Sequence, residues 1–215
     1  MRLYFYRTPA WLRRCFPKRI WRIDTQEPVL YLTFDDGPHP TATPFVLDTL
    51  ARFDCKATFF CIGQNVLRYP ALYRRILNEG HQVGNHTHRH LNGWKTTDEA
   101  YVADVKEASS CIESGLFRPP YGRLRSTQAK AVPAALSVPF SATEQGRIVM
   151  WDLLSGDFDS RLSGEDCFSI CKKRLRPGSI IVMHDSEKAW PRLSVALPLL
   201  IEHALAAGYT FKKID

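Results

Sequence analysis

From residue 29 onward the chain alternates short apolar runs with longer amphipathic stretches, and that alternation restricts the fold more than any other feature. Residues 29–34 are apolar except for Thr33, as a strand buried on both faces allows. Thr43-Pro44 opens a helix expected to reach about residue 53. A Phe-rich strand follows over 55–62, bounded by Gly63. Pro70 starts a helix that Gly80 closes in the left-handed conformation, and 81–84 is a short strand. Thr97 caps a polar-faced helix to about residue 113, and a strand stub at 116–118 precedes Pro119-Pro120. A helix near 126–132 leads into a loop containing Ser, Pro and Gly that extends to 147. Strands at 148–154, 179–183 and 209–214 alternate with helices at 163–175 and 190–206. About seven strands interleaved with helices imply a parallel sheet, open or closed into a barrel. There is no internal repeat, low-complexity tract or dividing linker. The expected organisation is a lead-in at 1–28, on or near the barrel, and one domain at 29–215.

Charge bears on the lead-in alone. The net charge is +7, and residues 1–22 carry seven basic side chains and no acid, so the remaining chain is neutral. A neutral body is not the basic globule that binds nucleic acid, and none is expected as a partner. Thr8-Pro9 opens a short helix that Pro17 ends, with Trp11, Leu12, Cys15 and Phe16 on one face. Two readings stand: a strap across the barrel floor, or peripheral contact of residues 1–22 with an anionic membrane surface. No run of 18 apolar residues exists to span a bilayer, and the basic N-terminus lacks the apolar core of a cleaved export signal. The expectation is a monomer in the cytoplasm, at most peripheral at the inner membrane surface. The six cysteines include no CxxC pair and are expected to be reduced, buried small hydrophobes.

Polar groups collect where the expected strands end. Asp35-Asp36 follows the first strand, His86 and His90 the third, Arg118 the fourth, Asp157 the fifth and His184 the sixth. In a (β/α) barrel those ends converge on one face, where active sites sit. Asp36, His86 and His90 would supply one carboxylate and two imidazoles, a three-ligand set that leaves a position open for water. His86 and His90 are four apart, so one turn can aim both at a point; His88 points elsewhere. Adjacent side chains alternate on extended backbone, so one carboxylate of Asp35-Asp36 can bind a metal while the other acts as base. His184 suits a general acid, Arg118 could hold a carboxylate with two nitrogens, and rigid Pro119-Pro120 could present the Tyr121 N–H to an oxyanion.

These residues fall into an ordered set of motifs that resembles the polysaccharide deacetylase, or NodB-homology, domain of carbohydrate esterase family 4. The motifs are Thr33-Phe34-Asp35-Asp36-Gly37-Pro38, then His86-Thr87 with His90, Arg118-Pro119-Pro120-Tyr121-Gly122, the segment from Trp151 to Asp157, and Ile180-Ile181-Val182-Met183-His184. Lys56-Ala57-Thr58-Phe59-Phe60 is also similar to that family. The resemblance spans 29–214 and implies an α/β fold, a deformed seven-stranded (β/α) barrel. It implies metal-dependent hydrolysis of the N-acetyl amide of an N-acetylated sugar. By the same resemblance Asp35 is the base, held by Arg118; Asp36, His86 and His90 bind one divalent ion, zinc first, with cobalt, nickel or manganese as alternatives; His184 is the acid; and Asp157 tunes the charges. The family places Trp after its fourth-motif Asp, an Asp three residues before it, and Leu two residues before the His. Here Phe158, Leu154 and Val182 stand in those places. Phe158 and Val182 are therefore expected to reshape the acyl pocket, with Pro120 and Tyr121 at the oxyanion. Cleavage of another non-peptide C–N bond, or a non-catalytic glycan-binding module, are the other readings.

Overall fold

The computed structural model describes residues 4–137 and 146–215, so Arg2 and most of the loop expected before residue 147 lie outside the described residues. The elements follow in chain order: α1 (Ala10–Cys15), β1 (Val29–Asp35), α2 (Ala42–Arg52), β2 (Thr58–Cys61), α3 (Gly63–Arg68), α4 (Pro70–Asn78) and β3 (Gln82–Asn85). Then come α5 (Asp98–Ser109), β4 (Leu116–Phe117), a single 3-10 turn (Pro120–Gly122), α6 (Ser126–Ala135), β5 (Arg147–Ile148) and β6 (Leu153–Leu154). The chain closes with α7 (Gly164–Lys172), β7 (Ile180–His184), α8 (Trp190–Ala206) and β8 (Thr210–Phe211).

Local chemistry explains several boundaries. Thr97 caps α5 by accepting the Ala100 N–H, and Ser163 and Asp166 cap the start of α7 reciprocally. Pro70 sits at the first position of α4. The six-residue α3 is new relative to the sequence expectation, which assigned no element between Gly63 and Pro70.

The strands pair in parallel in the order β5-β4-β3-β2-β1-β7-β6, with β8 added beside the start of β1. This is the expected deformed (β/α) barrel, with one difference in its wall. The strand expected over 148–154 divides: β5 pairs with β4, whereas β6 pairs with β7 at the opposite end of the sheet. One short segment thus supplies both edges, and a seam runs between them.

β1 shows how the sheet sorts its residues. Leu30, Leu32 and Phe34 face outward into a core with Val46, Leu47 and Leu50 of α2 and Leu193, Leu197 and Leu200 of α8. Tyr31 faces the barrel interior with Phe60, Leu116, Val149 and Ile180. Thr33 and Asp35 share Tyr31's face, so the same alternation carries polar groups up the interior to the strand ends.

The lead-in runs along the seam. Arg7 bridges antiparallel to Leu153, Ile20 parallel to Val149, and Arg22 antiparallel to Ser179. Thr8 N–H donates to Asp152 O, Leu154 N–H to Tyr6 O and Met150 N–H to Ile20 O. The buried Asp152 carboxylate accepts from Arg7, Arg176 and Ser179. Internal contacts therefore occupy part of the basic cluster: Arg7 serves Asp152, and Arg19 lies over the Phe16 ring. Arg14 and Lys18 are exposed.

Among the described residues no helix is long and apolar enough to cross a membrane. All six cysteines are free; Cys55, Cys61, Cys167 and Cys171 are buried as expected, but Cys111 is half-buried and Cys15 exposed.

Candidate active site

Asp36 leaves the strand with φ 80°, so the two neighbouring carboxylates are separated by a left-handed bend rather than by strand alternation. Gly37 is required next, because a Cβ there would come within 2.0 Å of Asp185 Oδ2. Asp185, which had no role in the sequence expectation, is fully buried and organises this bend. Its carboxylate accepts the Gly37 N–H at 3.1 Å and the Thr43 hydroxyl at 2.5 Å. Burial pushes its carboxyl up to about 8. The His-Asp pair closing β7 was the available signal for it.

His86 and His90 lie on a bent loop after β3, in which Thr87 and His90 both have positive φ. Their Nε2 atoms are 3.6 Å and 3.2 Å from Asp36 Oδ1. Asp36, His86 and His90 each offer a ligand atom, all within 4.8 Å of one another. The donor chemistry fits a cation. His86 Nδ1 donates to the Arg118 carbonyl at 2.7 Å, and a carbonyl can only accept, so His86 Nε2 keeps its lone pair. Asp36 Oδ1 is buried without a hydrogen-bond partner. Burial opposes its charge, but His90, His184 and His86 together hold the carboxyl well below its ordinary range. Burial also pushes His86 down to about 4, which keeps the ring neutral. Electron-pair donors aimed at one point without protons between them are the arrangement a divalent ion satisfies. His88 is turned away: its N–H donates to Asp104 and its ring faces Glu107 at 3.3 Å.

Two charge pairs flank this cluster. Arg118, fully buried, donates from Nη1 to Asp35 Oδ1 at 2.7 Å and to Thr33 Oγ1 at 2.7 Å. The pair is not the two-nitrogen fork expected from sequence. Nη2 and Nε instead donate to the Met150 and Val149 carbonyls across the barrel, because the seam leaves those carbonyls in reach. On the other side His184 Nδ1 lies 2.7 Å from Asp157 Oδ1, and its backbone N–H donates to Asp157 Oδ2 at 2.7 Å. Burial works against a charged His184, but the Asp157 carboxylate outweighs it and raises the imidazole to about 10.

The 3-10 turn sets the remaining groups. Gly122 and Arg123 N–H groups close it onto the Pro119 and Pro120 carbonyls, while Tyr121 sits at φ 60° with its hydroxyl 3.2 Å from His90 Nδ1. Pro120 itself is buried away from the cavity, and Pro119 lines it instead. The cavity lining therefore holds Pro119 where Pro120 was expected. A cavity of about 770 Å³ joins Asp35, Asp36, His86, His90, Tyr121, Phe158, Val182 and His184. Part of its wall comes from the lead-in, including Tyr4, Phe5 and Leu12, which no sequence motif had marked.

Comparisons with known proteins bear on the family and the fold. The family model for polysaccharide deacetylase matches residues 22–138. A peptidoglycan-N-acetylglucosamine deacetylase of Bacillus cereus is 33% identical over 202 residues, covering 91% of this chain and 90% of that protein. A chitooligosaccharide deacetylase of Azorhizobium caulinodans is 34% identical over 171 residues, covering 76% of this chain and 77% of that protein. The peptidoglycan deacetylase PgdA of Listeria monocytogenes is 36% identical over 193 residues, but this chain spans only 37% of its length. Among solved structures, the Bc1960 peptidoglycan N-acetylglucosamine deacetylase superposes with a TM-score of 0.83 at 27% identity, covering 96% of this chain and 95% of that one. A family 4 carbohydrate esterase from Streptomyces lividans, in complex with acetate, gives a TM-score of 0.74 at 26% identity, covering 89% of this chain and 95% of that one. Family match, relatives and fold agree: the chain belongs to the polysaccharide deacetylase (NodB-homology) family, carbohydrate esterase family 4, and is a hydrolase of that family.

Proposed function

We propose that this protein hydrolyses the N-acetyl amide of a glucosamine-type glycan to acetate and a free amine, using one divalent ion held by Asp36, His86 and His90. The observation that carries the reading is the placement of the Asp35–Arg118 and Asp157–His184 pairs on either side of that ligand set. The related proteins named for peptidoglycan N-acetylglucosamine and for chitooligosaccharide support the sugar class. Zinc suits one carboxylate and two imidazoles; cobalt, nickel and manganese suit the same donors less selectively.

When bound, the ion polarises the amide carbonyl and lowers the pKa of the attacking water. Asp35 takes the proton of that water. Arg118 holds the Asp35 carboxylate in one orientation through a 2.7 Å bond, and Thr33 fixes the guanidinium in turn. The Tyr121 N–H, which is not used to close its own turn, steadies the developing oxyanion. His184 gives the proton from its Nε2 to the departing amine, while Asp157 keeps the other ring nitrogen occupied. Phe158 and Val182 line the acyl side of the cavity and exclude water from it.

The test is acetate release from N-acetylglucosamine oligomers and from peptidoglycan fragments, with and without chelator, alongside Asp35→Asn. Loss of turnover in both cases is expected. Chelator-resistant turnover or full activity in Asp35→Asn contradicts the mechanism, and binding without turnover by the metal-loaded protein contradicts the enzyme reading. The exposed Trp11, Arg14 and Lys18 also support peripheral contact with an anionic surface. Co-sedimentation with phosphatidylserine vesicles tests that contact, and equal binding to neutral vesicles refutes it.

A further inference from the structure

The lead-in does more than cover the seam. Its first described residue, Tyr4, reaches the rim of the cavity that holds Asp35 and His184. Its hydroxyl donates to Asp159 Oδ2 at 2.7 Å, and Arg161 pins that carboxylate from the other side through both of its oxygens. The Tyr4 ring meets the edge of Phe158, with centroids 5.1 Å apart and planes at 62°. Phe158 in turn meets the His184 ring at 5.4 Å and 71°. Tyr4 also packs edge-on against Tyr6, centroids 5.4 Å apart, and the Tyr6 carbonyl accepts the Leu154 N–H at 2.7 Å. Leu154, Phe158, Val182 and Tyr4 therefore form one apolar wall of the cavity beside His184. Three of these come from the barrel and one, Tyr4, from the lead-in.

We infer that Tyr4 is a positioning residue that backs Phe158 against His184 and thereby sets how large an acyl group the site accepts. The inference rests on the deacylation reading above and deepens it. The physical argument is one of volume. A loosely backed Phe158 can swing away from His184, and the space it vacates lies on the acyl side of the cavity. Tyr4 occupies the position behind the ring and is itself anchored by a hydrogen bond to a buried carboxylate. A pocket with a fixed wall discriminates against one added methylene by about 10-fold or more. A pocket whose wall yields loses most of that discrimination.

The experiment uses the full chain loaded with its metal. Chitooligosaccharides carrying N-acetyl or N-propionyl groups are compared by kcat/KM in wild type, Tyr4→Ala, Tyr4→Leu and Tyr4→Phe. The wild type is expected to favour acetyl by about 10-fold or more. Tyr4→Ala is expected to reduce that preference at least fivefold, about half the discrimination scale of one methylene. Tyr4→Phe keeps the ring and restores most of the preference. Trp11→Ala, on the exposed side of α1 and away from the cavity, leaves both rates unchanged. Tyr4→Leu keeps apolar bulk in the lead-in and carries the test if the alanine variant does not fold. A general loss of stability lowers both rates together, so the ratio separates positioning from folding. Acetyl turnover with an acyl preference within twofold of wild type in both Tyr4→Ala and Tyr4→Leu overturns the role of Tyr4. Absence of turnover on every N-acyl substrate by the wild type overturns the deacylation reading instead.

Discussion

Replacing Arg118 with Met removes a guanidinium that is buried completely and bonded on every nitrogen. Met matches the stem of the side chain and still packs on the Phe60 ring, over which the guanidinium carbon sits at 4.0 Å. What is lost is the cation beside Asp35, which itself is only 4% exposed. Breaking a buried ion pair from one side costs about 3–5 kcal/mol, because the remaining charge has neither partner nor water. The double variant Arg118→Met with Asp35→Asn removes that orphaned charge, and about 1–3 kcal/mol of the loss should return as coupling energy. The assay is urea unfolding of chelator-treated protein, so that no bound cation substitutes for the guanidinium. With a slope of about 2.5 kcal/mol per molar, a 4 kcal/mol loss moves the midpoint down by about 1.6 M. Additive effects, with coupling below about 0.5 kcal/mol, would show that Asp35 does not depend on Arg118 and would refute the assignment of Arg118 as its holder.

Asp157→Asn keeps the shape of the side chain but removes the charge that raises His184 to about 10 against the effect of burial. The acid form of His184 is then lost at lower pH, so kcat falls about 10²–10⁴-fold and its alkaline limb moves downward; an unmoved limb in the pH–rate profile argues against His184 as the acid. Burial, assisted by the nearby Lys56 charge, lowers His81 to about 4 from an ordinary 6.5, and its Nδ1 accepts the Ala57 N–H at 3.3 Å. Its stabilising effect is therefore complete above pH 6.5 and is lost as the pH falls through about 4, by on the order of 3 kcal/mol. His81→Gln should flatten the decline in Tm between pH 7 and pH 4.5, on the order of the range in which the ring charges, and an identical decline in both proteins counts against this account. Arg7→Met leaves Asp152 with Arg176 and Ser179 alone, and limited trypsin digestion should cut the lead-in several-fold faster, on the order expected for about 1 kcal/mol of local loosening. Equal cleavage rates would mean that Arg7 does not tether the segment.

The readability of this chain followed the strength of each local signal. β1 and β7 were legible because a short, largely apolar run permits little besides a buried strand. The division of 148–154 was not, because the segment is apolar at both ends and no periodicity records which neighbour each end pairs with. The six residues of α3 are too few for a helical period to emerge. At the site, residue type and spacing marked Asp36, His86 and His90, since a metal needs those donors and the loop between the histidines is short. The left-handed bends at Asp36, Thr87 and His90 left no trace, because none is a glycine. Arg118 was marked, but its single-nitrogen pairing depends on carbonyls across the seam, which only the folded chain brings near. Tyr4 carried no signal at all: its contact with Phe158 joins residues 154 positions apart.

The seam has a consequence for how this chain meets other copies of itself. A sheet whose two ends are not bonded to each other carries two rows of unpaired amides and carbonyls, and such rows recruit strands from other molecules. Here residues 6–8 and 20–22 occupy positions along those rows. The family match begins at residue 22, so a chain shortened to residues 22–215 would keep Asp35, Asp36, His86, His90, Arg118, Asp157 and His184 and lose nearly all of this guard. Concentration-dependent light scattering at constant secondary-structure content is the expected behaviour of such a fragment. In that sense the opening residues are the chain's own protection against edge-to-edge self-association.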